Sequence, residues 1–278
     1  MSETTETAAS QEVPAGERVT VEVSDHVAEV RMVRADKHNA LDWAMFKALE
    51  SAAAELAERR EVRAVVLSGE GPSFCSGLDF PSFIEAGMPV ENMLARREGD
   101  VANVAQAVSL DWQRLPVPVI AALHGAAYGG GAQIALGADI RIAAADLRFS
   151  ILEIKWGLIP DMGLTRTLPR LVSIDVAKEL AFTGRIVEAS EARDLGLVTR
   201  LADDPRAAAL ELAHEIAGRS PHAIRSGKRL LNETWVGSEA ETLALEAELQ
   251  GALLGSENQI AAITAAMTKQ PAEFGDPD

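Results

Sequence analysis

Val117-Pro118-Val119-Ile120-Ala121-Ala122-Leu123-His124-Gly125-Ala126-Ala127-Tyr128-Gly129-Gly130-Gly131 is the stretch on which the fold turns. A short uncharged run of β-branched and small residues predicts a buried strand. The glycines after it predict a turn opening a small-residue helix over 130–137. The wider uncharged window, residues 115–138, has about the length of a membrane-spanning helix. Pro116, Pro118, His124, Gln133 and the glycine triplet make it a poor one. A strand, a turn and a buried helix are expected instead, with no membrane association.

The same pattern occurs upstream. Residues 62–68 form a short apolar strand ended by Gly69, and Phe74-Cys75-Ser76-Gly77-Leu78-Asp79-Phe80 follows in a Gly-, Pro- and Ser-rich loop over 71–89. Earlier still, Val19, Val21 and Val23 alternate with polar residues, and 27–33 continues in strand style beyond Ser24-Asp25-His26, which predicts a hairpin. Asp42 is placed to cap a helix over 43–60, with Met45, Phe46, Leu49, Ala53 and Leu56 on one face. A long amphipathic helix is expected over 91–114, its stripe being Leu94, Val101, Val104, Val108 and Leu115. From Gly163 onward the pattern is helical. Strands interleaved with helices, then helices alone, imply an α/β core with an α-helical C-terminal region.

The chain has 278 residues, with 42 acidic against 26 basic side chains and a net charge of −16. That balance disfavours nonspecific nucleic-acid binding and anionic membrane surfaces. Glu3, Glu6, Glu12, Glu17, Glu273, Asp276 and Asp278 put seven of the negative charges at the ends. Residues 1–17 and 271–278 lack apolar periodicity and are expected to be a disordered N-terminal tail and a flexible C-terminal one. The N-terminus has neither a secretory nor a transit-peptide composition. A single cysteine, Cys75, excludes an intrachain disulfide and a multi-cysteine metal site. The five histidines form no close ligand pair, so no metal is expected, and a reducing, cytoplasmic setting fits. Dinucleotide, phosphate-loop and nucleophile-elbow motifs are all missing.

Glycines where a strand gives way to a helix let backbone N–H groups approach a ligand, and a helix N-terminus favours developing negative charge. Two such donors would make an oxyanion hole. The other reading is a pair of tight turns serving packing alone.

Taken together, these segments resemble the crotonase (enoyl-CoA hydratase/isomerase) superfamily over nearly the whole body of the chain. Lys37-His38-Asn39-Ala40-Leu41 is similar to the family's first ligand-binding segment, and 74–80 and 125–131 to its two oxyanion segments. Phe182-Thr183-Gly184-Arg185 with 189–198, and Ser220-Pro221 through Asn232, resemble its late helices. The resemblance implies a spiral of strand–strand–helix turns over 18–203 and a helical oligomerisation region over 204–270. Homotrimers or homohexamers built as dimers of trimers are implied with it. It implies an acyl-CoA substrate, with coenzyme A part of that substrate and no separate cofactor. The thioester carbonyl would be held by the N–H groups of Leu78 and Gly130. Lys37, Ala40, Ser76, Gly77, Asp79 and Gly129 would lie against substrate.

Three polar residues carry the chemistry the resemblance implies. The family's hydratases use two acidic residues; Gln133 stands at the first position and Glu153 at the second. Gln133 can orient water or substrate but cannot act as a general base. Asp161 stands where the family's dienoyl-CoA isomerases and chlorobenzoyl-CoA dehalogenase carry a working Asp. It could equally cap the helix near Gly163, and Glu153 could be a plain helix-start carboxylate. Glu153 with Asp161 favours double-bond isomerisation. Hydration by Glu153, with Gln133 orienting water, is the alternative, and a non-catalytic acyl-CoA-binding homologue a further one. Cys75 reads as a small buried residue, Trp156 as a possible wall of the acyl pocket. Arg219, Arg225, Lys228 and Arg229 read as a solvated helix face or as contacts to CoA phosphates.

Overall fold

In the computed structural model, which describes residues 11–13, 18–85 and 93–277, the chain begins with three antiparallel strands: β1 (Gln11–Val13), β2 (Val19–Ser24) and β3 (Val27–Met32). Asp25 and His26 join β2 to β3 with φ of +48° and +66°, the geometry that suits a two-residue hairpin to strand twist. Helix α1 (Trp43–Glu58) starts where the Asp42 carboxylate accepts from Met45 N at 2.8 Å. Next come β4 (Ala64–Gly69), α2 (Phe80–Glu85), α3 (Val104–Arg114), β5 (Val119–Leu123), β6 (Ala126–Tyr128) and α4 (Gly130–Gly137). Strands β7 (Ile140–Ala143) and β8 (Arg148–Ser150), helices α5 (Leu164–Thr167) and α6 (Ile174–Thr183), β9 (Val187–Glu188), α7 (Ala189–Asp194) and β10 (Arg200–Leu201) complete the mixed part. Four helices end the chain: α8 (Pro205–Ala217), α9 (Pro221–Thr234), α10 (Glu239–Leu253) and α11 (Glu257–Thr268).

The large sheet has the order β1-β2-β3-β4-β5-β7-β10, and β3 through β10 pair in parallel. A small sheet, β6-β8-β9, stands beside it. Alternation along the central strands sorts side chains to two faces. Val65, Leu67, Val119, Ala121 and Leu123 join the large core with Phe46 and Leu49 of α1 and Val108 and Trp112 of α3. Ala64, Val66, Ile120 and Ala122 face the other way, against Ala209, Ala213 and Ala217 of α8. This is the α/β architecture with a helical C-terminal end that the sequence predicts. Because α8 covers a face of the sheet, the core runs past the expected boundary at 203–204, through Ala217.

The expected helix over 91–114 is shorter in the structure, and residues 91–92 lie outside the described ones. Helix α3 begins only at Val104, where Asn103 and Gln106 form a reciprocal capping box. Before it, Gly99 takes φ +73° and Arg97 N donates to Ala102 O at 3.1 Å, a turn that a helix cannot contain. Val101 of the expected stripe is accordingly exposed. Most of the expected N-terminal tail, residues 1–10 and 14–17, lies outside the described residues, but Gln11–Val13 adds an edge strand.

The C-terminal segment is anchored rather than loose. Arg63, 8% exposed, donates to Phe274 O at 2.9 Å and Ala217 O at 3.3 Å and pairs with Asp276 at 2.8 Å. Gly275 exchanges two hydrogen bonds with the buried Asn258 amide. Composition could not foresee this, since the partner of Asp276 lies more than 200 positions away. Arg63→Ala is expected to lower stability by about 2–3 kcal/mol, the scale for hydrogen bonds to a charged group. The Asp276 carboxylate is solvent-facing, which keeps the loss below that of a fully buried pair. Urea denaturation measures the loss, and limited proteolysis should show 271–277 released.

Candidate active site

The two glycine loops meet edge to edge. Cys75 N donates to Ala126 O, and Tyr128 N to Cys75 O, both at 3.0 Å. On the other side Leu41 N donates to Gly77 O at 2.8 Å, and Asp79 N to Leu41 O at 3.0 Å. Bonds of this parallel pattern engage the residues before and after Leu78, so the Leu78 N–H turns the opposite way. It has no acceptor among the described residues. Gly130, the first residue of α4, has an N–H that no helical carbonyl can reach. The backbones lie close: a Cβ built on Gly77 would stand 3.7 Å from Gly130 N.

Leu78 and Gly130 border one cavity of about 320 Å³. Ser76, Gly77, Gly129, Glu153 and Asp161 line it with them. Its remaining walls, among them Phe46, Leu94, Leu152, Trp156, Leu158 and Met162, are apolar. Trp156 is tilted against Phe80 with ring centroids 4.6 Å apart, so it is a wall of this cavity as expected.

Glu153 enters from the short helical turn Glu153–Trp156 that follows β8. Its Oε1 accepts from Gln133 Nε2 at 2.6 Å, while Oε2 is buried with no partner among the described residues. Burial pushes its pKa up, against hydrogen bonds from its own backbone and Gln133, and the charge of Asp161 pushes the same way as burial. Gln133 is fully buried on α4, and its Oε1 accepts from Met162 N at 2.9 Å. The amide is therefore oriented from both ends. A Cβ on Gly129 would come within 3.5 Å of Glu153 Oε1, so glycine leaves that approach open.

Asp161 lines the cavity, its pKa raised by partial burial. It is not a helix cap: α5 starts after Gly163 with no side-chain capping bond. Lys37, Ala40 and Asp79 do not line the cavity. Lys37 is exposed, and its carbonyl meets Ser76 Oγ at 3.4 Å. The Ala40 carbonyl accepts from Arg34 Nη1 at 2.9 Å. Asp79 is taken up by Arg34 and Ser82, each at 2.7 Å, behind the Ser76–Leu78 loop.

Arg34, to which the sequence reading gave no role, and Asn39, read only as part of the first ligand-binding segment, organise this shell. Asn39, fully buried at φ +54°, accepts from Arg34 N and donates to Glu70 O and Ser73 O. A buried Asn in left-handed backbone is a tolerated conformation that single-sequence periodicity does not register. Cys75 is inert as expected: fully buried, it donates to Asn39 O, and desolvation pushes its pKa up to about 12. In the basic run Lys228 is buried, Arg225 half-buried, and Arg219 and Arg229 are exposed. Lys228 is buried against Asp139 at 2.7 Å and the Val117 carbonyl at 2.8 Å, Arg225 donates to the carbonyls of Arg60 and Val62, Arg229 pairs with Glu233 and Glu248, and Arg219 with Glu215.

The apolar cavity that Leu78, Gly130 and two carboxylates of raised pKa line is the candidate active site. The family model for enoyl-CoA hydratase/isomerase matches residues 22–277. A short-chain-enoyl-CoA hydratase of Clostridium acetobutylicum is 34% identical, covering 92% of this chain and 96% of its own. A Delta(3,5)-Delta(2,4)-dienoyl-CoA isomerase of Mus musculus is 33% identical, over 88% and 77%. Among solved structures, a protein of Streptomyces coelicolor A3(2) provisionally described as an enoyl-CoA hydratase superposes with TM-score 0.86 at 37% identity, over 99% of each chain. The enoyl-CoA hydratase of Bacillus anthracis superposes with TM-score 0.84 at 27% identity, over 93% and 99%. The chain belongs to the enoyl-CoA hydratase/isomerase family and has the crotonase fold, with its two sheets and C-terminal helices. It is an enzyme of the class that acts on acyl-CoA thioesters. No described helix is long and apolar enough to cross a membrane.

Proposed function

We propose that the protein shifts a double bond along the chain of an unsaturated acyl-CoA. The thioester oxygen accepts from Leu78 N–H and Gly130 N–H. The Glu153 carboxylate takes a proton from carbon, the electron pair passes into the conjugated enolate, and those two donors hold the charge on oxygen. Asp161 returns a proton to a different carbon. One observation carries this reading: Gln133 is bonded at both ends, so the second carboxylate of the cavity is Asp161 and not a neighbour of Glu153 on α4. Hydration of a 2-enoyl thioester is the second reading, favoured by the unpartnered Oε2 of Glu153, which could engage a water. Lys37, exposed at the edge of the Ser76 loop, is assigned to the CoA moiety in either case.

The test incubates 3-enoyl-, 3,5-dienoyl- and crotonyl-CoA in deuterated water and follows products by mass spectrometry. Isomerisation with deuterium at the carbon that gains the proton is expected. Asp161→Asn should slow it by about 10²-fold or more, the scale for a proton-transfer group. Efficient hydration of crotonyl-CoA, unaffected by Asp161→Asn, overturns the isomerase reading. The C-terminal helices leave Trp235, Val236, Leu254 and Met267 exposed, which supports assembly into trimers or hexamers, read by light scattering.

A further inference from the structure

We infer that Arg34 is a positioning residue for the oxyanion donor Leu78, acting through Asp79 and never touching substrate. This rests on the reading of Leu78 N–H and Gly130 N–H as the oxyanion hole. Arg34 lies just beyond β3 and does not border the cavity. Its guanidinium, 10% exposed, has two prongs. Nη1 donates to Ala40 O at 2.9 Å, and Nη2 pairs with Asp79 Oδ2 at 2.7 Å. Asp42, the cap of α1, stands 3.6 Å from the same nitrogen. One cation thus ties together the residue before Leu41 and the residue after Leu78.

Those are the two places that decide where the Leu78 N–H points. Leu41 holds Gly77 O and Asp79 N, the peptide groups on either side of Leu78. A rotation of the Gly77–Leu78 peptide would swing the Leu78 N–H, and the Asp79 N bond to Leu41 O fixes the chain on the far side of Leu78. Ala40 fixes the Leu41 side of that clamp and Asp79 the other, and Arg34 holds both. Ser82 Oγ supports Asp79 at 2.7 Å but carries no charge. A planar fork meeting a carboxylate and a carbonyl at once is a geometry lysine cannot reproduce. Preorganised donors act only while they are aimed at the developing charge, and outright loss of one costs about 10²–10³-fold in kcat.

The test reads polarisation directly. Butyryl-CoA carrying a ¹³C-labelled thioester carbonyl is bound to the full chain, and the carbonyl band is located by isotope-difference infrared spectroscopy. The wild type should shift the band to lower frequency than free butyryl-CoA. Arg34→Lys and Asp79→Asn should each lose most of that shift while the Kd for butyryl-CoA changes less than about threefold. With the substrate panel above, kcat should fall by 10-fold or more with KM nearly constant. A wild-type band at the free frequency overturns the oxyanion reading itself. A shifted wild-type band that either variant retains overturns the role of Arg34 alone. Variants that no longer bind butyryl-CoA overturn it as well, since the fork would then serve folding of the site and not its aim.

Discussion

Glu153→Gln is expected to abolish turnover of every substrate the wild type converts, by about 10²–10⁴-fold in kcat, the range for removing a positioned general base. The substitution is nearly isosteric. The new side-chain carbonyl can still accept from Gln133 Nε2, as Glu153 Oε1 does at 2.6 Å. Its amide then occupies the place of Oε2, which is buried without a partner among the described residues. The variant also no longer has to bury a charge. Its thermal stability should therefore match or slightly exceed that of the wild type, and binding of butyryl-CoA should persist. Activity that survives in a folded, thioester-binding variant removes Glu153 from the chemistry.

The pH dependence follows from the same two carboxylates. Burial raises the pKa of both Glu153 and Asp161, and the charge of Asp161 raises that of Glu153 further. Gln133 donates to Glu153 alone, which favours ionisation there and leaves Asp161 as the proton carrier. A base must be ionised, so activity rises as pH passes upward through the Glu153 pKa. An acid must be protonated, so activity falls as pH passes upward through that of Asp161. A bell-shaped kcat/KM profile is expected, and Asp161→Asn should flatten its alkaline limb.

The parts of this site that could be read from sequence are those that local pattern controls. The run 117–123 followed by glycines gives a strand, a turn and a helix, and the structure places β5, β6 and α4 there. Ser76, Gly77, Leu78, Gly129, Gly130, Glu153 and Asp161 all reach one cavity. What sequence reading missed depends on partners far away. Arg63 finds Asp276, and Lys228 finds Asp139 far back in the sequence. Arg34 and Asp79 are separated by more than forty positions. The late start of α3 is a different kind of miss. Its cue, Asn103 three residues before Gln106, is a local cap signature that the apolar stripe over 91–114 overrode.

The largest combined loss of stability and activity is expected from Gly77→Ala. Gly77 has φ +89°, a left-handed conformation that costs a side-chain-bearing residue about 1–2 kcal/mol. Its new Cβ would also stand 2.7 Å from Tyr128 O, a backbone atom that cannot move without displacing β6. Relieving that contact adds about 1–3 kcal/mol, the range for overpacking. The two loops it forces apart are those that carry the Leu78 and Gly130 donors, and loss of one such donor lowers kcat by about 10²–10³-fold. Gly99→Ala separates the two causes. Gly99 has φ +73°, yet a Cβ there meets nothing within 4 Å. It should show the backbone strain without the clash, a melting shift with unchanged turnover. Should Gly77→Ala match Gly99→Ala in both measurements, the close approach of the two loops has no part in holding the oxyanion donors together. A larger melting shift joined to a collapse of kcat shows that the separation of the loops, set at Gly77, is what the chemistry depends on.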